Sequence, residues 1–500
     1  MLLLIYPMLI LSVFGILTPI ISRLAERLSL KNIGGAWAFF GFLIALIADI
    51  RLINPLRREG VLLFTIGSSA KPPIAGFLAV DWLGYFFSLL FITLGLISSL
   101  YSLDYMSHDN GLEEYYSLLL LMVAGMVGLA FAGDFITFYV FWEIMSLTSY
   151  CLVGFRRHKW EAIEAGFKYL AMSATGTTIV LFSLSLIYGI TGTLSFAHIA
   201  ASLLKAPPSP LFSMIFILLI IGFCVKTAAV PFHFWLPDAH QVAPSSISAM
   251  LSGVVTKTGI YALIRTLYLI FSLSTVNFTL LFAVLSVLTM TVGNVLALLQ
   301  KDVKRLLACS TIGHMGYILL ALSLGTVNGL TGGILHVFNH AIMKGLAFLC
   351  IGAIIYVTGS RNIDDLIGVG RRMPITSITF AISLLSLSGV PFFNGFISKY
   401  LIFTAALEAK AYLLTVIGLL NSGLSVVYYL RLIQLLMLRK PSGKIAKVKE
   451  APIFILIPLI VMAFLCILFG VWPEPVYKFA REAAIAAYSK VQYILAVTKV

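Results

Sequence analysis

Charge is what this chain has least of. Only 11% of its residues are Asp, Glu, Lys or Arg, against about 25% in an ordinary soluble domain, which excludes a water-soluble globular enzyme. Acids are scarcer than bases, 20 Asp and Glu against 34 Lys and Arg. Cysteine is sparse too. Cys151, Cys224, Cys309, Cys350 and Cys466 are scattered, and none forms a CxxC pair. No iron–sulfur, zinc or disulfide framework is visible, and each thiol is expected to pack as a small apolar side chain. No GxGxxG stands in a nucleotide-binding context and no CxxCH occurs. The expectation is therefore no cofactor, no metal and no redox centre carried by this chain itself. The net charge of +14 does not point to nucleic acid, because much of the excess sits in short loops between apolar runs.

Long apolar runs are what the sequence does have. Hydrophobic residues make up 60% of it and mean hydropathy is +1.03. A spanning helix needs about 20 apolar residues, and on that ruler about fourteen candidates appear. Their limits are 2–21, 33–54, 76–102, 115–132, 134–154, 161–190, 211–237, 244–270, 276–299, 305–325, 329–358, 375–408 (interrupted), 411–438 and 451–472. The first has no basic segment before it and no cleavage pattern, so it is expected to be a span and not a removed signal peptide. Residues 473–500 are expected to lie along the surface or add a weak helix. Basic clusters follow odd-numbered spans: Arg156, Arg157 and Lys159; Lys301, Lys304 and Arg305; Arg361, Arg371 and Arg372; Arg439 and Lys440. Loop lysines and arginines mark the cytoplasmic side, which places both termini outside. Arg51, Arg57 and Arg58, after the second span, run against this.

Ionisable residues inside such spans are expensive and usually functional. The seventh and eighth spans each carry a lysine, Lys226 and Lys257. Between them VPFHFWLPDAH holds Pro231, His233 and Pro237, and proline removes a backbone donor and breaks the helix. The fifth span, GDFITFYVFWEIMSLTSY, places Glu143 among Phe, Trp, Ile and Met, while Asp134 opens the helix, where an acid also serves as a cap. Lys168 stands four residues after Glu164 and can pair with it on one face. His314 lies in the tenth span. His336, His340 and Lys344 share one stripe of the eleventh. That stripe could hold zinc, but no third ligand lies nearby, and histidine exchanges protons near neutral pH, so a proton relay is the stronger reading. The twelfth span, LSLSGVPFFNGFISKYLIF, has Gly389, Pro391 and Gly395 mid-run and then Lys399. Two interrupted spans five apart point to an inverted repeat with the site at its interface.

These stretches, with FKYL, KDVKRLLACSTIGHMGY and HVFNHAIMKG, resemble the proton-antiporter module over about residues 76–435. That family includes the large subunits of Mrp-type Na⁺/H⁺ antiporters and the antiporter-like subunits of respiratory complex I and of membrane-bound energy-converting hydrogenases. The resemblance implies an all-α polytopic fold of about fourteen transmembrane helices, with two inverted five-helix repeats (helices 4–8 and 9–13) and broken helices seven and twelve. It implies that Glu143 pairs with Lys226, that Lys257 and His314 or Lys344 continue a central axis, and that Lys399 is the exit-side group. Some relatives carry glutamate at the Lys399 position. The expected organisation is 1–110 for helices 1–3, 111–272 and 273–440 for the two repeats, and 441–500 for helix 14 and the tail. The expected partners are other membrane subunits of a respiratory or antiporter complex, the bilayer and H⁺, with Na⁺ left open as a second ion, in a prokaryotic plasma membrane. The competing reading is a stand-alone carrier of a small solute. Such a carrier wants a roomy pocket with a few placed polar groups, whereas these polar groups are strung along helices five to twelve.

Overall fold

The computed structural model describes residues 2–27, 33–65, 76–205, 209–271, 276–441, 445 and 448–498. Thirteen helices among them are long and apolar enough to cross a membrane. Between the eleventh and the last-but-one of these, two shorter helices, Pro374–Ser388 and Asn394–Glu408, complete a broken twelfth span. The ordinals of the sequence reading therefore carry over. The tail forms two helices, Glu474–Tyr488 and Lys490–Thr498. The first of these packs across the third and eleventh spans.

Burial sorts the spans into layers. The eighth span, Ser245–Phe271, and, apart from Arg305 at its start, the tenth, Val303–Ser323, are enclosed, while the first and second expose most of their length. In a bilayer such exposed apolar faces need no cover, and helix association comes from close packing of small residues. The ninth and tenth spans meet at Gly293, where an added Cβ would lie 2.4 Å from the Gly313 nitrogen. The sixth and seventh meet at Gly176 and Gly222 in the same way, with 2.7 Å from the Gly222 position to the Gly176 oxygen.

The seventh and twelfth spans break by one construction. Pro210–Thr227 ends at Ala228, whose φ of 53° is left-handed. There Ala228 N–H donates to Val225 O at 3.2 Å and Ala229 N–H to Cys224 O at 3.1 Å. Pro374–Ser388 ends at Gly389 with φ 84°. Gly389 N–H donates to Ser386 O at 3.0 Å and Val390 N–H to Leu385 O at 3.2 Å. Both are the paired back-bonds of a left-handed helix terminus. Glycine supplies that geometry freely at the second break, while the first makes it with alanine. The eighth span instead keeps its course but loosens to a π-helical turn at Leu251–Val255, just before Lys257. Such turns shift the hydrogen-bond ladder and often mark functional positions.

Two features lay outside the sequence reading. A short antiparallel hairpin pairs Leu62–Thr65 with Phe77–Val80, between the second and third spans. Beside it Arg265 meets Asp81 in a two-pronged ion pair, Nη1 to Oδ2 at 2.7 Å and Nη2 to Oδ1 at 2.5 Å. Both side chains are at most 3% exposed. The pair ties the far end of the eighth span to the start of the third. The tail helix closes over it: Tyr493 lies under the Arg265 guanidinium at 5.4 Å, and Lys490 donates to Ile270 O at 3.0 Å. Burial pulls the Lys490 ammonium down to about 8.

Removing one member of a buried pair leaves the other uncompensated, at about 3–5 kcal/mol. Asp81→Ala should therefore lower the thermal unfolding temperature of the detergent-solubilised protein. Adding Arg265→Met in the same chain should recover most of that loss. An Asp81→Ala protein as stable as wild type would show that the pair contributes nothing.

Candidate functional site

Around Lys226 the sequence builds a cage of hydroxyls and rings. Lys226 lies in the last turn of Pro210–Thr227, at the negative end of the helix dipole, which favours a cation. Its Nζ donates to Ser146 Oγ at 3.0 Å and to Tyr169 OH at 2.8 Å. The rings of Tyr169, Tyr150 and Trp142 face it at 4.9, 5.3 and 6.0 Å. Tyr169 is fixed by stacking flat on Trp235, 4.0 Å away. The Trp235 indole in turn donates to Val225 O, a carbonyl of the broken helix. Glu143 is half-buried and within electrostatic reach of Lys226, but the direct carboxylate–ammonium pair implied by the resemblance is not formed. Ser146, one turn along the same face, takes its place.

The second cluster is larger. Lys257 Nζ donates to the carbonyl of Ser252, in the π-helical turn, and lies 2.8 Å from His340 Nδ1. The His340 ring stands 4.9 Å from that of His314. His314 Nδ1 is 3.1 Å from His336 Nε2, and His314 Nε2 is 3.3 Å from Tyr429 OH. Tyr429 OH also accepts from Lys344 Nζ at 3.3 Å, and Lys344 donates to Ser310 Oγ at 2.5 Å. His336 Nδ1 is 2.9 Å from Ser398 Oγ, the residue before Lys399. Lys399 reaches back across its break and donates to Leu387 O at 3.0 Å, Ser388 O at 3.1 Å and Ser422 Oγ at 3.0 Å. A snorkelling lysine would leave its ammonium at the surface; Lys399 is 4% exposed. So Lys257, His340, His314, His336, Lys344 and Lys399 are brought into one cluster. No hydrogen bond among the described residues joins it to the Lys226 cage. There the seventh and eighth spans meet backbone to backbone at Gly259, whose added Cβ would lie 2.6 Å from Thr227 Cγ2.

The remaining expected residues stand apart. Asp134 caps the fifth span, accepting from Thr137 N–H at 2.8 Å and from Phe77 N–H at 3.0 Å. Its place is a helix terminus and a hairpin, away from the line of charge. Lys168 is half-exposed, paired with Glu164 at 2.7 Å and Asp238 at 3.3 Å. His233 sits at the seventh-span break beside a cavity of about 560 Å³ that Lys168, Asp238 and Arg305 also line. Residues missed by reading ionisable groups alone are the hydroxyls: Ser146, Tyr169, Ser310, Ser398, Ser422 and Tyr429. Ser, Thr and Tyr are common in every span, so sequence offered no signal for them.

A bundle with two broken helices and a buried line of lysines, histidines and hydroxyls defines a membrane ion-conducting protein. The chain belongs to the family described as NADH:quinone oxidoreductase/Mrp antiporter, TM, which matches residues 132–425. It is 34% identical over 465 residues to F(420)H(2) dehydrogenase subunit N of Methanosarcina mazei, covering 91% of this chain and 93% of that one. It is 32% identical to NADH-quinone oxidoreductase subunit N of Desulforamulus reducens, covering 94% and 96%. Among solved structures, a chain of the membrane-bound sulfane sulfur reductase, an archaeal respiratory membrane complex, superposes with a TM-score of 0.89 at 32% identity and 99% coverage of both.

Two predictions separate the line from its scaffold. Arginine cannot be deprotonated in a protein, so Lys399→Arg should assemble normally yet fail to translocate protons. Ionophore-sensitive uptake near the wild-type rate in sealed vesicles would contradict this. Asp134→Ala, which removes a cap, should cost about 0.5–2 kcal/mol of stability, seen as a lower unfolding temperature, whereas Asp134→Asn, which keeps the Thr137 cap but sets an amide donor against Phe77 N–H, should lose part of that stability, and both should leave proton transfer close to wild type.

Proposed function

We propose that this chain is a proton-translocating membrane subunit of a multi-subunit respiratory-type complex, with two repeats, residues 111–272 and 273–440, each contributing one break and one lysine at it. The observation that carries this reading is the cluster in which Lys257 bonds His340, whose ring faces His314 at 4.9 Å, and His314 bonds His336 and Tyr429 and so reaches Ser398 and Lys344, beside Lys399. A proton arriving at Lys257 has His340 as its acceptor, and the next basic ring, His314, stands beside that one. Among the described residues Glu143 is the one carboxylate beside the line; protonated lysines repel a cation, and imidazole nitrogens are poor partners for a hard ion that takes oxygen ligands, so H⁺ suits the line better than Na⁺. Two like charges about 7 Å apart at an effective dielectric of about 20 repel by roughly 2.4 kcal/mol, a fifty-fold change in proton affinity. Charge gained at one group therefore drives the proton off the next without large movement. When Glu143 swings onto Lys226 it stabilises the ammonium, and when it leaves, Lys226 gives up its proton more readily.

Membership of a complex has physical support too. Glu143 lies on the stripe of Val140 and Leu147, three before and four after it, which are 51% and 54% exposed. A carboxyl on a lipid-facing stripe is costly, and a neighbouring subunit covering that stripe removes the cost. The relatives above are named as subunits and match over nearly their whole length, so the stand-alone carrier has no support.

Glu143→Gln and Lys226→Ala should each assemble with the complex but slow coupled proton translocation at least tenfold. The reading is tested by dye-reported acidification in vesicles holding the purified complex. Wild-type acidification by both variants would refute it.

A further inference from the structure

Two buried bases on the basic-loop side take no part in the line so far described. His240, in the short helix Trp235–Val242 after the seventh-span break, is wholly enclosed, and neither of its ring nitrogens has a protein partner. Buried polar nitrogens are ordinarily satisfied by protein or by ordered water. Here the protein supplies none, so both nitrogens are left for water. The ring stacks on Phe348 at 4.6 Å, and Phe348 is one helical turn from Lys344 on the same face. The His240 carbonyl accepts from Ser248 Oγ at 3.2 Å. Ser248 is one turn before Ser252, whose carbonyl holds Lys257. His240 therefore packs one turn along from Lys344 on one side, through Phe348, and one turn along from the Ser252 anchor of Lys257 on the other. The charged groups that act on it are Lys304, Lys344 and Lys257, with no carboxylate among them.

Lys304 opens the tenth span. It is 3% exposed and donates to Ala243 O at 2.5 Å, three residues beyond His240. Its ammonium makes no ion pair among the described residues. It also lines a cavity of about 180 Å³ together with Arg156, Lys159, Glu161, Gln241 and Arg361, side chains of the basic loops. An enclosed lysine thus lies between a polar cavity and the end of the short helix that carries an enclosed histidine, and the histidine stands next to the central cluster.

The geometry points to Lys304 and His240 as the port by which protons enter the line from the basic-loop side, an inference that rests on the line being a proton path. A hydronium ion in the cavity gives its proton to the neutral Lys304 amine and leaves as water. The proton passes to one nitrogen of His240, whose other nitrogen releases its own to Lys344 or Lys257. The imidazole is then neutral but in its other tautomer, and it regains the first by turning over or by back-exchange through water; no bond other than N–H or O–H is made or broken. A histidine present only to fill space would be served equally well by phenylalanine, which stacks on Phe348 but carries no proton.

That difference is the test. The complex is reconstituted in sealed vesicles, a valinomycin–potassium potential is imposed, and proton uptake is followed with a pH-sensitive dye. His240→Phe and Lys304→Met are expected to slow uptake at least tenfold. His240→Gln, which keeps a polar side chain, is the second variant should His240→Phe not assemble, with the same expected loss. Added imidazole is expected to restore part of the rate in His240→Ala and none in Lys344→Ala. If His240→Phe or His240→Gln takes up protons at the wild-type rate while Lys344→Ala does not, the port is wrong and the line stands. If Lys344→Ala also matches wild type, the line and the port fall together.

Discussion

A helix that stops inside a bundle leaves carbonyls that must find donors, and in this chain lysines are brought to both such stops. At the seventh-span break Lys226 is in the terminal turn itself, so its charge sits on the negative end of that helix by chain position. At the twelfth the lysine comes from beyond the break, and Lys399 folds back to donate to Leu387 O and Ser388 O. The Val225 carbonyl, which no lysine reaches, accepts from the Trp235 indole as well as from Ala228 N–H. The same electrostatic need is met by different residues, which is why the two halves share a construction while showing little residue identity. The breaks thus hold cations where an unbroken helix would have had no use for them.

Keeping those cations without acids sets the character of the line. Burying an ammonium costs several kcal/mol. Each charge-assisted hydrogen bond returns about 1.5–3 kcal/mol, and an aromatic face about 0.5–2. For Lys226, with two hydroxyls and three rings, these terms come near to cancelling, so neither the charged nor the neutral form is locked in. A carboxylate held permanently against each lysine would have tipped the balance and frozen the proton in place. The contrast is Asp81–Arg265, where a two-pronged pair is locked and its role is to hold the end of the eighth span. Acids are scarce in the line for the same reason that one is present at the anchor.

Much of this was legible in sequence. Hydropathy located the fourteen spans, Pro231 and Gly389 marked both breaks, and the spacing of His336, His340 and Lys344 put them on one face. What sequence could not carry was side-chain reach. Ser146 and Tyr169, not Glu143, hold the Lys226 ammonium, because a serine one turn on presents its hydroxyl where the longer carboxylate has turned aside. Asp134 looks like any acid at membrane depth until the Phe77 N–H of a hairpin far away in sequence is seen to bind it. That hairpin is too short, and too hydrophobic on both strands, to stand out from the spans beside it. Arg265 was in plain view in SGVVTKTGIYALIR, but its partner Asp81 lies 184 residues earlier, beyond any local pattern.

The layering of the bundle then explains why the line lies where it does. The eighth and tenth spans, with Lys257 and His314, are enclosed by the rest of the bundle over the stretch that carries the line. Their polar groups are therefore screened weakly, and a change of charge on one is felt strongly by the next. Glu143 is the exception, on a face that this chain leaves open. A carboxyl there can respond to what lies outside the chain, while the groups behind it respond mainly to each other. Coupling to a neighbouring subunit needs no wire through the protein on this arrangement. On the proposed reading it needs the neighbour to bias the position of one half-buried carboxylate, whose field acts on Lys226 and so alters the proton affinity of that base.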